Sequence, residues 1–153
     1  MGLVPVDIPA DVQIKATIQT GSVYYFLEDS FPSKEPHYFI VLNVNPLNDE
    51  VILLVCASTQ IETVRSRSLN CPKETLVEIS PSQYAGFSRH SIINCNNVFQ
   101  KGMSELANKL SEGKLKLKPE MDLCLVNKLV EGALYSNEVE RWKKRKLSTD
   151  YEG

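Results

Sequence analysis

Polar and cationic side chains gather where the predicted strands begin and end, and these are the positions at which the chain could do chemistry. They are, in chain order, His37, Ser58, Thr59, Gln60, Arg89 and Ser91. His37 begins one apolar run, the Ser-Thr-Gln triplet ends another, and Arg89 and Ser91 precede or begin a third. Because the end of one antiparallel strand lies near the start of the next, these side chains can share one rim of a sheet.

This set of groups suits phosphoryl transfer on RNA, whose 2′-hydroxyl is a built-in nucleophile. A protein that aligns this hydroxyl needs a cation for the phosphoryl oxygens, hydroxyl or amide donors, and a group that moves protons. Arginine binds phosphate through a bidentate fork, and serine or threonine adds further hydrogen bonds. The candidate catalytic residues are Arg89, Thr59, Ser58 and His37. The candidate RNA contacts are Gln60, Arg65, Arg67, Ser91 and Tyr84.

Each of these residues also has a purely structural explanation, and the sequence leaves both open. Arg89 can be a solvated loop arginine, and His37 a half-buried residue at the start of a strand. The strand-end hydroxyls can simply satisfy backbone groups. Tyr84 is more typical of a core aromatic under a loop than of a platform on which RNA bases stack. His90 is expected to point away from Arg89, because neighbours in a strand alternate faces.

Composition limits the function classes. The 153 residues, 42% hydrophobic and 24% charged with a formal net charge of −2, are typical of one soluble globular domain rather than of a protein that coats nucleic acid. The four cysteines and two histidines show no metal-ligand spacing, and no Gly-rich phosphate loop is present, so we expect no metal and no cofactor. The start MGLVPVDIPA is not a signal peptide, and no apolar run approaches the roughly 20 residues of a membrane span. We therefore expect a cytoplasmic protein with no membrane partner.

The order of patterns along the chain predicts strands first and helices afterwards. Residues 1–19 are interpreted as an N-terminal arm with an edge strand, 20–147 as one domain, and 148–153 as a frayed tail. Predicted strands read SVYYFL, HYFIVLNV, EVILLVCAS, TLVEIS and SIINCNNV. Predicted loops read EDSFPSKEP and TQIETVRSRSLNCPKE. From Met103 onward the pattern predicts helices, with the short alternating strand KLKLK between them.

The second and third strands are apolar at nearly every residue, which is typical of strands buried on both faces, as in a small barrel. Short antiparallel strands followed by helices predict an α+β fold, and we favour a small SH3-like antiparallel β-barrel with C-terminal helices. In the longest helix, the predicted buried stripe consists of Leu123, Val126, Val130, Ala133 and Leu134.

In this order, the patterns resemble those of the PemK/MazF toxin family, whose members are small SH3-like barrels that dimerise and cleave RNA. GSVYYF is similar to the family's first strand, PHYFIVLN to its second, and VILLVCASTQ to its third, which ends in Ser/Thr-Thr and often Gln. The resemblance covers about residues 21–134. It implies a metal-independent endoribonuclease toxin that cuts single-stranded RNA through the 2′-hydroxyl and leaves a cyclic phosphate, with Thr59 and Ser58 at the scissile phosphate. It also implies a protein antitoxin as partner and a homodimer.

One departure from the family pattern bears on activity. The family's second strand follows Arg-Pro, whereas this chain has Glu-Pro-His at 35–37. Either Arg89, Arg65 or Arg67 supplies the missing positive charge, or the chain is a catalytically inactive SH3-like barrel that binds protein or nucleic acid. In a third hypothesis, the C-terminal helices form a structural partner domain. The sequence leaves these alternatives open.

Overall fold

The structure of the chain is a computed structural model that describes residues 8–49 and 51–148. In this part of the chain the helices are α1 (Ala10–Thr17), α2 (Ile61–Arg67), α3 (Met103–Ser111), α4 (Leu123–Tyr135) and α5 (Arg141–Leu147). The strands are β1 (Val23–Phe26), β2 (His37–Val41), β3 (Val51–Ser58), β4 (Leu76–Ile79), β5 (Ser91–Asn94), β6 (Phe99–Gly102) and β7 (Leu115–Lys118). The predicted frayed tail, 148–153, and the first seven residues of the predicted arm lie outside the described residues, except for Ser148.

All strand pairs are antiparallel, and the path across the sheet runs β4-β5-β3-β2-β1-β7. The long strand β3 organises this sheet because its two halves have different partners on one edge. Val51 to Leu54 pair with β6, whereas Ala57 and Ser58 pair with β5. The α+β class with an antiparallel sheet and C-terminal helices is therefore confirmed. Strands β4 and β7 remain the two ends of the path within the described residues, so the sheet does not close into a full barrel.

The central strands are buried on both faces, as their continuous apolar pattern predicts. On one face Ile40 and Leu53 pack with Val126 of α4. On the other face Phe39 and Leu54 pack with residues of α1 and α3. Fully burying one such side chain contributes roughly 1.5–3 kcal/mol, so two cores on opposite faces hold β2 and β3 firmly in place. Side chains at the ends of β2 and β3 are therefore attached to backbone that is held in place by packing on both faces.

Two segments contain helices that the sequence pattern does not predict. The arm predicted to hold an edge strand contains helix α1, whose Ile14 is fully buried against the core together with Ile18, one turn further on. The polar segment predicted to be a loop contains helix α2. Helix α2 has no buried residue, so it lacks the apolar stripe by which a helix is recognised in a sequence. Strand β6 was also missed, because its four residues, FQKG, include only one large apolar side chain.

The predicted stripe of α4 is partly shifted. The buried residues are Leu125, Val126, Leu129, Gly132 and Ala133, whereas the predicted Leu123 is 59% exposed. Gly132 belongs to the buried face, and the helix approaches its neighbours closely there. A Cβ at this glycine would lie 2.8 Å from the carbonyl oxygen of residue 74 and 3.0 Å from the sulfur of residue 95. Among the described residues, no helix is long and apolar enough to cross a membrane.

Candidate functional site

The floor of the candidate site follows from strand register. Ser58 pairs with Ile92 across β3 and β5, and Phe39 pairs with Cys56 across β2 and β3. Continuing the β2–β3 register by two residues places His37 opposite Ser58. Because directly opposed residues of antiparallel strands point to the same face, His37, Ser58 and Ile92 form one row across three strands. Two residues further along each strand, the next row on this face contains Phe39, Cys56 and Asn94.

At the open end of these rows lies a groove of about 480 Å³, which we name the rim groove. Strand β3 runs out into it and helix α2 borders it. The candidate residues that line it are His37, Ser58, Thr59, Gln60, Arg67, Arg89 and Ser91. Seven of the nine residues singled out from the sequence therefore share one concave surface. The expectation that strand ends meet at one rim is correct in its geometry, and the roles of these residues stay predictions.

A second cavity of about 420 Å³ adjoins the rim groove, and we name it the inner pocket. His37, Ser58 and Arg67 line both cavities, together with residues of α2 and of the loop before β2. The residues that line the inner pocket but not the rim groove are Phe31, Cys56, Ser68, Cys71, Ile92, Asn94, Asn97, Phe99 and Glu138. The two cavities thus adjoin along a shared wall that includes Arg67, and we refer to them together as the depression.

Two guanidinium groups of this depression carry uncompensated charge. Arg67, at the end of α2, and Arg89, just before β5, both have exposed side chains. Neither forms a hydrogen bond or an ion pair with any residue that the structure describes. An arginine without an internal partner can offer its full fork of N–H groups to an anion in the groove.

The hydroxyl groups that line the depression with these arginines differ in whether they already form hydrogen bonds within the protein. The Ser58 Oγ accepts a hydrogen bond from the backbone N–H of Gln60 at 3.1 Å. The buried Ser91 donates its hydroxyl to the carbonyl oxygen of Arg89 at 3.0 Å, which fixes the backbone that carries this arginine. Thr59 has no side-chain hydrogen bond within the described chain, so its hydroxyl can donate to a bound group. Ser91 therefore supports Arg89 from below, whereas Thr59 faces the groove with its hydrogen-bonding capacity unused.

His37 lies where the two cavities meet. Its ring contacts the edge of Phe31, with 5.3 Å between ring centroids and an interplanar angle of 89°. Its Nδ1 atom is buried and has no hydrogen-bond partner among the described residues. A buried ring nitrogen without a partner is uncommon, because burial of an unpaired polar atom is costly. The buried Nδ1 therefore has no hydrogen bond that fixes the imidazole, whose residue borders both cavities.

The structure does not bring Arg65 to the groove. Its guanidinium contacts both Glu62, at 2.8 Å, and Glu78 of β4. Glu78 also pairs with the His90 Nε2 at 2.8 Å. Hydrogen bonds from His90 and from Arg65 hold the pKa of the Glu78 carboxyl below its usual value. We name these four residues the paired cluster, and its positive charge is already neutralised.

Tyr84 is not brought to the groove either. It is buried, and its hydroxyl donates to the carbonyl oxygen of Pro119 at 2.6 Å. Its ring packs edge-on against Phe87. Burial raises the pKa of Tyr84 to about 12. It is the core aromatic that the sequence left as an alternative to an RNA-stacking platform.

Cys56 lines the inner pocket, and its thiol is a poor nucleophile because its pKa is high. Burial, together with the negative charge of Glu28, raises the pKa of Cys56 to about 12. The nucleophilic form of cysteine is the thiolate, so this group is neutral and unreactive near pH 7. No set of three or more His, Cys, Asp or Glu side chains that could hold a metal ion occurs within residues 8–49 and 51–148.

The sequence missed the inner pocket. The signal for part of it was present, because Cys56 and Asn94 are two residues from Ser58 and Ile92 and therefore share their faces of β3 and β5. The remainder had no local signal. Phe99 lies on the missed strand β6, and Glu138 follows α4, so only the tertiary fold places them beside the strand ends.

Comparisons with known proteins find likenesses among solved structures. No family model matches the chain, and no curated protein matches it. One of the solved structures to which it is similar is described as an endoribonuclease in complex with its cognate antitoxin from a mycobacterial species. The two chains are 14% identical, the alignment covers 74% of this chain and 87% of that chain, and the TM-score is 0.46. A likeness at this level carries no argument about the activity of this chain.

Proposed function

We propose that the chain is an endoribonuclease that cuts single-stranded RNA in the rim groove, without a metal ion. The observation that carries the proposal is the meeting of two unpaired arginines, Arg67 and Arg89, with Ser58, Thr59 and His37 on one concave surface. These are the cation, the hydroxyl donors and the proton-transfer group that 2′-hydroxyl attack on a phosphodiester requires. An open groove also suits a single strand, whose backbone is tracked by positive charge.

The proposed reaction begins with the scissile phosphate between the two guanidinium groups. The 2′-oxygen forms a new bond to phosphorus, and the bond from phosphorus to the 5′-oxygen breaks. His37 accepts the proton of the 2′-hydroxyl, and the departing 5′-oxygen takes a proton from a water molecule in the open groove. The hydroxide so formed takes the proton from His37, which restores the neutral imidazole. Arg67, Arg89 and Thr59 stabilise the negative charge that builds up on the phosphoryl oxygens. The products are a 2′,3′-cyclic phosphate and a 5′-hydroxyl.

We further propose that the chain is a divergent PemK/MazF-like toxin, with a protein antitoxin and a homodimeric assembly. In this proposal Arg67 and Arg89 supply the charge that the family's arginine before the second strand provides. Glu35, which stands in place of that arginine, also lines the rim groove.

The position of Glu35 also supports the alternative, a barrel that binds protein or nucleic acid without turnover. A carboxylate in the groove repels phosphate and opposes the accumulation of further negative charge in a transition state. The two functions differ in one measurable respect, since only the nuclease breaks the RNA chain.

The test is cleavage of a long RNA of mixed sequence in the presence of EDTA, using the full chain and its Arg89→Ala and Thr59→Ala variants. We expect cutting by the natural chain, cyclic phosphate at the new ends, and strong loss of cutting in both variants. The matched control is Thr20→Ala, which removes a threonine hydroxyl outside the groove. Failure of well-folded natural protein, free of any antitoxin, to cut at high concentration would refute the nuclease and favour the binding module.

A further inference from the structure

The inner pocket adjoins the groove in which RNA would be cut, and its lining is unlike that of the rim groove. Two half-buried aromatic rings, Phe31 and Phe99, contact each other edge-on with 5.6 Å between centroids. They supply an apolar wall beside the polar groups of Asn97 and Glu138. The cavity of about 420 Å³ falls within the range of pockets for small ligands, about 300–1,000 Å³. Such a cavity accommodates one nucleobase turned out of a single strand.

The pocket has opposite charges on different parts of its wall. Arg67 lies on the wall shared with the rim groove, whereas Glu138 does not line the rim groove and borders the inner pocket together with an adjacent cavity of about 500 Å³. Neither Arg67 nor the carboxylate of Glu138 forms an ion pair within the described residues. The phosphate of a bound nucleotide is attracted to Arg67 and repelled by Glu138. A nucleotide is therefore oriented with its phosphate in the rim groove and its base directed towards Glu138.

The backbone that carries Glu138 is firmly held. Its N–H donates to the Oγ of Ser136 at 3.0 Å, and the Ser136 hydroxyl donates to the Oδ1 of Asn96 at 2.6 Å. Ser136 and Asn96 are both buried. The side chain of Glu138 is exposed, and within the described residues its carboxylate accepts a hydrogen bond only from the thiol of Cys71, at 3.8 Å. A carboxylate whose partner is only a weak donor retains nearly all of its capacity to accept hydrogen bonds.

We propose that the inner pocket selects guanine next to the cut site, an inference that rests on the proposed function of the rim groove. A carboxylate only accepts hydrogen bonds, so it pairs through both oxygens with two adjacent donors. On the Watson–Crick edge only guanine offers this, through N1–H and the 2-amino group. Adenine and cytosine place a ring acceptor beside their single amino group, and uracil has one N–H between two carbonyls. The amide of Asn97, which has no side-chain hydrogen bond in the described chain, can donate to the guanine O6.

The test measures binding rather than cutting. Fluorescent pentanucleotides with deoxyribose throughout lack the 2′-hydroxyl and stay intact, and they carry uracil at every position except the central one. The central base is guanine, adenine, cytosine, uracil or hypoxanthine, which is guanine without its 2-amino group. For the full chain we expect guanine to bind about tenfold more tightly than adenine, cytosine or uracil, since a bidentate contact discriminates by that order. Hypoxanthine should lose a large part of this advantage.

The decisive variant is Glu138→Gln, which replaces one of two acceptor oxygens by a donor amide and should abolish the preference for guanine. The matched control is Glu131→Gln on the exposed face of α4, which should retain it. Equal binding of all five oligonucleotides, no measurable binding up to millimolar protein, or a guanine preference that survives Glu138→Gln would each overturn the proposal. Guanine preference without RNA cutting would refute the nuclease and leave the base pocket, whereas cutting without guanine preference would do the reverse.

Discussion

The rim groove and the paired cluster contain the same kinds of side chain in opposite states. In the paired cluster, Arg65 and His90 both contact Glu78, so both side chains have partners within the protein. In the rim groove, Arg67 and Arg89 have no partner among the described residues. The members of each pair are close in sequence, since Arg65 and Arg67 are two residues apart on α2 and Arg89 and His90 are adjacent. The comparison teaches that neither residue type nor position in the sequence decides whether an arginine has an internal partner, because the packed fold decides it.

Local geometry explains how neighbours reach such different environments. Residues two positions apart on an α-helix point about 200° away from each other, so Arg65 and Arg67 lie on nearly opposite sides of α2. Arg89 and His90 lie in the turn just before β5, where His90 contacts Glu78 of β4 and Arg89 lines the groove. The two side chains therefore point apart, as predicted, but the bend before β5 separates them instead of the alternation within a strand on which the prediction depended.

The strongest test of this comparison replaces one unpaired arginine, Arg67, and one paired arginine, Arg65. Arg67→Ala should lower the rate of RNA cutting by roughly 100-fold or more, as expected for loss of one group that stabilises transition-state charge. Arg65→Ala should change the rate less than about threefold, because its charge is already neutralised by carboxylates. Single-turnover cleavage in EDTA measures both. Equal losses in the two variants would show that the groove does not distinguish free from paired arginines.

A second test concerns the buried ion pair between Lys101 and Glu28, which lies at the start of the loop that borders the inner pocket. Lys101 contacts Glu28 at 2.6 Å, and both side chains are almost fully buried. The loop that follows Glu28 carries Phe31 onto the inner pocket. Lys101→Met should destabilise the fold by about 3 kcal/mol, the low end of the cost when a buried pair loses one partner. Denaturant unfolding measures the change in free energy.

The control for this test is the double variant Lys101→Met/Glu28→Gln. It removes the stranded charge together with its partner and should recover a large part of the lost stability. A single variant as stable as the natural chain would contradict a structural role for this pair.

The salt dependence of RNA binding tests the comparison for the second pair of sequence neighbours, Arg89 and His90. Arg89→Ala should reduce the slope of log affinity against log salt concentration by about 0.7, since each phosphate contact to a single strand contributes that amount. His90→Ala should leave the slope unchanged, because His90 contacts Glu78 instead of the groove. Titration of a labelled deoxy-oligonucleotide at several salt concentrations supplies both slopes. An unchanged slope in Arg89→Ala would remove this residue from the phosphate site.

The smallest expected effect is on the paired cluster itself. The pKa of Glu78 is lower in the folded protein than its ordinary value of 4.5, so the cluster stabilises the fold above pH 4.5 and loses this effect as pH falls through the folded pKa. Glu78→Gln should therefore destabilise the protein by less than about 1 kcal/mol at pH 7, as is typical of exposed pairs. Thermal unfolding at pH 7 and at pH 3 should show this difference narrowing at the lower pH. A difference that widens on acidification would mean that Glu78 does not carry the effect.

Much of the fold could be predicted because its signals are local. The five apolar runs became strands β1 to β5 within a few residues, and the continuous burial of β2 and β3 follows from their uninterrupted apolar sequence. Helix α2 could not be predicted in this way, since it buries no residue and its sequence shows no apolar period. Helix α1 offers only Ile14 and Ile18 to the core, which is too short a pattern to outweigh the prolines near it.

The candidate site was predicted in part for the same reason. Groups at strand ends could be placed at one rim because antiparallel pairing dictates which ends meet, and this rule brings Ser58, Thr59 and Arg89 together. The rule does not extend to Arg65, which follows the strand ends in sequence but lies on the far side of a helix that the sequence did not reveal. It does not reach Glu138 either, which arrives at the inner pocket from a distant part of the chain.

The sequence by itself determined the α+β class, the buried central strands and the candidate groups at their ends. These depend on side-chain periodicity and on the rules of strand pairing, which act over a few residues. Only the tertiary structure decided which arginines are free, which tyrosine is buried in the core and which carboxylate borders the pocket. The physical reason is that a charge is satisfied or left open by its neighbours in space, and Glu78 meets Arg65 only after β4 and α2 have packed.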